Sequence, residues 1–359
     1  MKIAIIGLAN SGKTTVFNAL TRGTVETAAF SSGQLEPNVA TVKVPDGRLD
    51  RLATMFKPRK LTPADVQYVD VGGMSGSSNR SGLPPALLNF ISSADALLHV
   101  VRAFEDNAVP HPDGSVDFRR DIESVDLELT FSDLAIIEKR LTKLNAEINK
   151  MAGREREQRT IEKDALTRLQ TALEAGQHVR DVALTEEESR LLRGYQFLTA
   201  KPILQVINVG DDAITAALEV QYNHAQSAVA VISGKIEAEL AIMSDEDATV
   251  FMEDLGIKEP ARNRVINLSY DLLGLMSFLT AGDDECRAWT IRKNTPAAEA
   301  AGAIHSDIQR GFIRAEVVAF DDLMKAGDMV AAKKAGTVRL EGKLYIVKDG
   351  DICHFLFNV

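Results

Sequence analysis

Residues 2–15 read KIAIIGLANSGKTT, and this stretch carries the strongest indication of the fold. It contains the pattern G-x-x-x-x-G-K-S/T between Gly7 and Thr14, after a short apolar run and before a segment with a helical apolar face. Glycines at the fixed positions let successive backbone N–H groups converge on phosphate oxygens. The pattern therefore predicts a strand, a phosphate-binding loop (P-loop) and a helix whose positive end faces the same anion.

Each polar position of the P-loop has a predicted task. Lys13 is expected to reach the β- and γ-phosphates as a catalytic residue, and Thr14 to place its hydroxyl on Mg²⁺. The predicted nucleotide-binding stretch comprises Asn10, Ser11, Gly12, Lys13, Thr14 and Thr15. By itself this stretch leaves kinases, motors and switches open.

A second phosphate-side motif, Asp70-Val71-Gly72-Gly73, follows an apolar strand candidate. Asp70 is expected to hold a water on Mg²⁺, which makes it a metal-site residue together with Thr14. Gly73 is expected to donate its N–H to the γ-phosphate and thereby to assist catalysis. A loop ordered by the γ-phosphate and freed by hydrolysis turns a nucleotide into a conformational signal, so the motif indicates a switch.

Met74 comes next, where Ras-like switches carry the glutamine that orients the attacking water. A thioether cannot do this, so either hydrolysis is very slow or another polar group supplies the function. His111, in a polar loop after a predicted strand, is the candidate catalytic residue. From the bare sequence, a solvated loop histidine is at least as favoured.

Residues 208–211, NVGD, stand where a base-recognition motif is expected. Guanine-specific switches have Asn-Lys-x-Asp there, and Val209 replaces the lysine, so the guanine pocket is at least half lost. Asp211 aimed at adenine N1, itself an acceptor, is unfavourable, so either Asp211 points elsewhere or guanine is still read. Ser233, Gly234 and Lys235, after the next strand, are expected to wrap the other side of the base.

Composition favours an ordinary soluble protein. The chain has 359 residues, 45% hydrophobic content and a formal net charge of −10. No run of some eighteen apolar residues is present, and the N-terminus enters the P-loop too soon for a signal peptide, so we expect a cytoplasmic protein without a membrane partner. The acidic charge argues against nonspecific binding to nucleic acid, and no sequence-specific DNA partner is expected.

The chain changes pattern after its first hundred residues. From Leu127 to Met151 apolar residues recur in steps of three and four, which is a heptad seam, and a second charged helical stretch ends at Ala175-Gly176. The two stretches predict an antiparallel helical hairpin inserted into an α/β domain that resumes at residues 203–207. Further on, Leu344–Val347 and Ile352–Phe357 flank Asp349-Gly350, which predicts a β-hairpin.

Taken together, these residues resemble one family: the Obg-like ATPases of the YchF type, within the Obg branch of translation-factor-class P-loop NTPases. The resemblance runs from end to end. Its marks are residues 7–17, 36–38, 44–49, 70–73 and 99–105 in the first part and 282–291, 300–305, 311–317, 341–343 and 349–351 near the C-terminus.

The resemblance implies an α/β architecture of three domains. A Ras-like P-loop NTPase domain is expected over residues 1–116 and 201–277, an inserted antiparallel helical coiled-coil arm over 117–200, and a C-terminal TGS domain of β-grasp fold over 278–359.

The resemblance also implies Mg²⁺-dependent hydrolysis of ATP in preference to GTP, and ribosome association. Family members carry a hydrophobic residue where Met74 stands and a catalytic histidine on the loop of His111. Asn10 matches the P-loop asparagine linked with K⁺ in some relatives. Asn208 and Val209 carry over as adenine contacts.

Three departures from the family pattern matter. Asp211 stands where the family has glutamate, and Gln34 stands where the first switch has a threonine that ligates Mg²⁺. The usual glycine-rich stretch after Gly73 is also changed. A GTPase of the Obg type using Asp211 therefore stays an alternative, and a metabolic small-molecule kinase or a nucleotide-stabilised binding module are further ones.

Overall fold

The structure is a computed structural model that describes residues 1–23, 37–70, 85–211 and 218–358. Contacts divide the chain into two compact units. The first consists of Met1–Ala40 and Gln67–Val265, and the second of Thr41–Val66 and Ile266–Val359. The second unit therefore combines an early segment of the chain with the C-terminal part.

The described strands form two six-stranded sheets. In chain order the strands are β1 (Lys2–Ile6), β2 (Asn38–Lys43), β3 (Lys60–Thr62), β4 (Asp65–Asp70), β5 (Ala96–Ala103), β6 (Ile203–Val209), β7 (Ser227–Ile232), β8 (Leu275–Thr280), β9 (Glu285–Arg292), β10 (Phe312–Ala319), β11 (Arg339–Glu341) and β12 (Asp351–Phe357).

The described helices fall into three groups along the chain. Those before β6 are α1 (Lys13–Thr21), α2 (Gly47–Phe56), α3 (Pro85–Ser93), α4 (Phe118–Glu147), α5 (Gly153–Glu174) and α6 (Glu186–Leu192). Those up to β8 are α7 (Gly234–Ile242), α8 (Asp245–Asp254) and α9 (Ala261–Leu272). The last are α10 (Ala297–Ile304), α11 (Ser306–Arg310), α12 (Phe320–Ala326) and α13 (Met329–Lys334).

The first sheet has the order β2-β4-β1-β5-β6-β7. β1 pairs in parallel with β4 and β5, and β6 and β7 follow in parallel beyond β5. β6 is buried along its whole length, as expected for a central parallel strand covered on both faces. Because the carboxyl ends of parallel strands meet at one edge, the last residues of β1, β4 and β6 lie at the same edge of the sheet. The α/β fold predicted from the sequence is confirmed.

The inserted helices form a hairpin with its own core. Buried side chains of α4 and α5 pack together with residues that follow them, and the buried members of this cluster are Ile137, Leu144, Ala165, Leu166, Leu169, Leu173, Val179, Leu192 and Phe197. The predicted seam is longer than the helix, since α4 ends at Glu147 and a 3-10 turn follows at Ile148–Lys150. The last two seam positions, Ile148 and Met151, therefore lie outside α4.

The second unit contains the sheet β11-β10-β12-β8-β9-β3. The predicted hairpin between Leu344–Val347 and the last strand is wrong, because β12 pairs antiparallel with β10 and parallel with β8. In the predicted first arm Leu344 is 85% exposed, and only a single bridge, between Pro296 and Ile346, forms there. Apolar alternation alone therefore misplaced this strand.

Residues 41–66 were expected in the NTPase domain, but contacts group them with the C-terminal part. β3 pairs in parallel with β9, and Arg48 Nη1 donates to Asp349 Oδ2 at 2.7 Å. The helical insertion, by contrast, groups with the NTPase part. The three domain boundaries otherwise stay predictions.

Within residues 1–23, 37–70, 85–211 and 218–358, no helix is long and apolar enough to span a membrane.

Candidate nucleotide-binding site

The loop between β1 and α1 has a backbone that only glycine adopts easily at two points. Gly7 has φ +146° and Gly12 has φ +90°. A Cβ on Gly7 would lie 2.3 Å from the carbonyl oxygen of Val100, and one on Gly12 would lie 2.3 Å from Nδ2 of Asn208. Gly12 caps α1 without a side-chain hydrogen bond, so the first N–H groups of the helix are left for another acceptor.

Lys13 lies beneath this loop. It is 9% exposed, and its Nζ donates to the carbonyl oxygens of Gly7 at 3.1 Å and Leu8 at 2.6 Å. Burial lowers the pKa of Lys13 to about 8, against the opposing attraction of Asp70. The Lys13 ammonium is thus hydrogen-bonded to two neutral carbonyl groups, and a bound anion can replace them as its partner.

Thr14 and Asp70 form the predicted metal pair. Thr14 Oγ1 donates to Asp70 Oδ2 at 3.0 Å, and Asp70 is 0% exposed. Burial raises the pKa of Asp70, while the Thr14 hydrogen bond and the charge of Lys13 act in the opposite direction. In the described part of the chain no group donates a hydrogen bond to Asp70 Oδ1.

This donor set fits Mg²⁺. Hydroxyl and carboxylate oxygens are the ligands that a small hard cation prefers, and Mg²⁺ is usually bound through one or two such groups plus phosphate and water. An orphaned carboxylate oxygen in a buried position is costly unless a cation or donor meets it. Thr14 and Asp70 are therefore the residues that would hold the metal.

Asn208, at the end of β6, links the phosphate side of the site to the base side. Its Nδ2 donates to the carbonyl oxygen of Ser11 at 3.1 Å, and its Oδ1 accepts the N–H of Gly234 at 2.9 Å. The side chain is buried, as are Ser11 and Gly234. Asn208 therefore joins the P-loop to the loop after β7. The predicted contact of Asn208 to adenine stays a prediction. Thr15, another predicted nucleotide-binding residue, lies half-buried in the first turn of α1.

Asp211 is already engaged within the protein. Ser233 Oγ donates to its Oδ1 at 3.0 Å, and Lys235 Nζ donates to its Oδ2 at 2.7 Å. The hydrogen bond from Lys235 is the main reason that the pKa of Asp211 is lowered. Both carboxylate oxygens thus have a donor before any base is present.

Val209 was predicted as an adenine contact, but its side chain points into the core. It is 3% exposed and packs in a cluster with Val101, Ile122 and Ile207. Val209 can therefore contact a base through its backbone and not through its side chain. The predicted adenine contact stays a prediction for the backbone of this residue.

His111 is buried, so it is not the solvated loop histidine of the alternative. Its Nε2 lies 2.8 Å from Asp121 Oδ2, and both side chains are 3% exposed. The neighbouring Pro110 carbonyl oxygen accepts Nδ2 of Asn10 at 3.1 Å. The loop that carries His111 is therefore tied to the P-loop through Asn10, whose φ is +61°.

Two contacts were missed by sequence reasoning: Asp121 beside His111, and Lys235 beside Asp211. Asp121 lies ten positions after His111, and Lys235 directly follows Gly234. This closeness in sequence to predicted site residues was the signal that could have indicated the two contacts. The predicted residues Gly73 and Met74, and Gln34 of the first switch, lie outside the described residues. The roles assigned to them stay predictions.

The buried lysine of the P-loop, the Thr14–Asp70 pair and the Asn208 link, at the carboxyl edge of a parallel sheet, define a P-loop NTPase of the G-domain type. Residues 2–162 match the family described as a 50S ribosome-binding GTPase. Residues 275–358 match the C-terminal family of YchF GTPases, described as a protein of unknown function (DUF933).

Relatives of known name cover the whole chain. It is 43% identical to the ribosome-binding ATPase YchF of Bacillus subtilis, over 99% of this chain and 98% of the relative. It is 36% identical to Obg-like ATPase 1 of Caenorhabditis elegans, over 100% of this chain and 92% of the relative. The solved structure of the Schizosaccharomyces pombe YchF GTPase is similar, with a TM-score of 0.86 and 30% identity over 99% of this chain and 97% of that one. The chain belongs to the YchF family, which confirms the resemblance.

Proposed function

We propose that this chain is a Mg²⁺-dependent ATPase that hydrolyses ATP to ADP and phosphate and acts as a ribosome-associated regulatory switch. The single observation that carries the catalytic part is the Thr14–Asp70 pair near the P-loop lysine, with a buried Asp70 oxygen that no donor in the described part of the chain meets. Relatives similar over the whole chain are named ribosome-binding ATPases, which supports the ribosome as the partner.

Different residues of the chain contact the phosphates and the metal. Lys13 exchanges its two carbonyl partners for β- and γ-phosphate oxygens, and the free N–H groups at the start of α1 face the same anion. Thr14 and Asp70 would hold Mg²⁺, which when bound would supply positive charge to the phosphates. In hydrolysis the oxygen of water bonds to the γ-phosphorus as the bond to the bridging oxygen breaks, and the proton of water passes to the released phosphate.

His111 supplies the polar group that Met74 cannot. We expect it to orient the attacking water, and Gly73 to bind the γ-phosphate through its N–H. The loop of His111 is already attached to the P-loop by the hydrogen bond from Asn10 to Pro110. A K⁺ ion beside Asn10, expected from some relatives, would add positive charge on the same side.

The contacts of Asp211 favour ATP. Guanine is recognised by a carboxylate that is free to accept two N–H groups, and the Asp211 oxygens instead accept Ser233 and Lys235. If Asp211 bound guanine, its hydrogen bonds from Ser233 and Lys235 would have to break. The alternative of a GTPase rests on the partial exposure of Asp211, since an ion pair at a surface is weak and can open.

Titration calorimetry with Mg²⁺ tests the base assignment. We expect ATP to bind more tightly than GTP, and Lys13→Ala to abolish both. Lys235→Ala frees one Asp211 oxygen and is expected to narrow the ATP preference several-fold. GTP binding that equals or exceeds ATP binding in the wild type would assign the site to guanine instead.

Co-sedimentation tests the partner. The wild type with a nonhydrolysable ATP analogue is expected to pellet with ribosomes, and Lys13→Ala is the matched control without nucleotide. No association in any nucleotide state would remove the ribosome from the proposal and leave the ATPase part standing.

A further inference from the structure

His111 and Asp121 form a buried pair where the NTPase part meets the first helix of the insertion. His111 Nε2 and Asp121 Oδ2 are 2.8 Å apart, with only 3% of either side chain exposed. A hydrogen bond between a ring nitrogen and a carboxylate with so little water around it is stronger than a solvated one. The pair therefore fixes the orientation of the imidazole ring.

The other ring nitrogen identifies the tautomer. The backbone N–H of Asp113 donates to His111 Nδ1 at 3.1 Å, so Nδ1 carries a lone pair and no hydrogen. The hydrogen-bond network therefore assigns the proton of the neutral ring to Nε2, which donates it to Asp121. The carboxylate favours this tautomer over the opposite one.

Asp121 is itself held firmly. Its Oδ1 accepts Arg120 Nε at 3.1 Å and Arg120 Nη2 at 2.8 Å, and the same guanidinium donates to the carbonyl oxygen of Ser115 at 2.7 Å. Asp121 stands in the first turn of α4, whose N-cap Asp117 accepts the N–H groups of Arg119 and Arg120. Asp121, which accepts the hydrogen bond from His111, thus lies in a helix whose N-terminus is capped.

We propose that Asp121 is a positioning residue for hydrolysis, holding His111 in the Nε2–H tautomer so that Nδ1 is the atom that meets the attacking water. This inference rests on the proposed function. In this structure Nδ1 accepts the N–H of Asp113, an exposed loop residue, and Arg120 Nη2 lies 3.5 Å from the same nitrogen. Displacement of these two donors gives Nδ1 to water, whereas the buried Asp121 bond stays in place.

The kinetic test separates binding from chemistry. Asp121→Asn keeps the shape of the side chain but removes the charge that favours the Nε2–H tautomer. We expect its single-turnover rate with saturating Mg²⁺ and ATP to fall at least about tenfold, with the ATP Kd within about twofold of the wild type. Asp121→Glu restores a carboxylate and should recover part of the rate.

The matched control is Glu123→Ala. Glu123 is an exposed acidic residue two positions after Asp121 in α4. We expect it to leave the rate and the Kd unchanged. If Asp121→Asn loses ATP binding and rate together, Asp121 has only a structural role and the inference fails.

Imidazole ¹⁵N NMR reads the tautomer without reference to activity. The chain has six histidines, and a His111→Gln spectrum identifies the signals of His111. We expect the wild type to show protonated Nε2 and unprotonated Nδ1, and Asp121→Asn to shift toward a mixture. Protonated Nδ1 in the wild type would overturn the inference whatever the rates.

The two proposals fail differently. A wild type that does not hydrolyse ATP, or a His111→Ala variant as fast as the wild type, overturns the catalytic proposal and this inference with it. A slow His111→Ala variant beside an unaffected Asp121→Asn variant overturns the Asp121 inference alone.

Discussion

Two buried aspartates of the first unit, Asp70 and Asp133, share one environment and differ in their partners. Both are 0% exposed, and burial raises the pKa of both, that of Asp133 to about 6. Asp133 Oδ1 accepts the N–H of Leu198, and its Oδ2 accepts the N–H and the hydroxyl of Thr199, at 2.6–2.8 Å. Among the residues that the structure describes, the Asp70 carboxylate accepts only the Thr14 hydroxyl, on one oxygen.

The difference separates a structural carboxylate from a ligand-binding one. Asp133 ties α4 to the 3-10 turn at Leu198–Ala200, and the chain itself satisfies both oxygens. Asp70 has an oxygen that no donor in the described ranges meets, which supports the proposal that this carboxylate holds a cation. Burial and a raised pKa alone would not have told the two apart.

The largest expected effect is on stability, at Asp133. Asp133→Ala leaves two backbone N–H groups and the Thr199 hydroxyl without an acceptor in a dry site. We expect the free energy of unfolding to fall by about 3 kcal/mol, measured by urea denaturation. Glu123→Ala, exposed on the same helix, should change it by less than about 0.5 kcal/mol. Equal shifts in the two variants would show that the Asp133 bonds contribute nothing net.

The next effect is on catalysis, at Asp70. Asp70→Asn keeps an acceptor for Thr14 but removes the charge that we propose binds Mg²⁺. We expect ATP hydrolysis with Mg²⁺ to slow about 100-fold, or about 2.7 kcal/mol of barrier, in single-turnover measurements. The urea midpoint should stay close to that of the wild type. A variant that unfolds as easily as Asp133→Ala would instead make Asp70 a structural carboxylate.

The smallest effect is a pH dependence from Lys13, the neighbour of Asp70. Its pKa is lowered to about 8 by burial, so the empty site loses the ammonium as pH rises through 8. The triphosphate of ATP is fully ionised in this range, and phosphate favours the charged form of lysine. We therefore expect ATP affinity to fall about tenfold between pH 7 and pH 9 in calorimetric titrations. Flat affinity over this range would show that Lys13 stays protonated in the empty site.

Local motifs made the nucleotide site predictable from the sequence. The P-loop is one continuous stretch, and Asp70 and residues 208–211 follow buried strands whose carboxyl ends must meet in a parallel sheet. The helical hairpin was likewise predictable, because its seam repeats within each helix. In these cases the periodicity of the chain and the edge of the sheet sufficed.

Contacts between distant residues were not predictable in this way. Asp133 meets Thr199 across 66 positions, and nothing in the sequence around either residue indicates the other. Val209 ends a strand in which every residue is buried, so no alternation reveals which way its side chain points. The false hairpin at Leu344 arose because apolar alternation does not say which strand is the partner.

The bond from Asn208 to Ser11 spans 197 positions of sequence, and a Cβ on Gly12 would collide with the same amide nitrogen. Gly12 and Asn208 are therefore sterically coupled. A side chain at position 12, where the backbone φ is +90°, avoids this collision only if the residue at position 208 is smaller. Since Asn208 also holds Gly234, that second change would loosen the base loop, and a single glycine in the P-loop thus restrains how the base pocket can evolve.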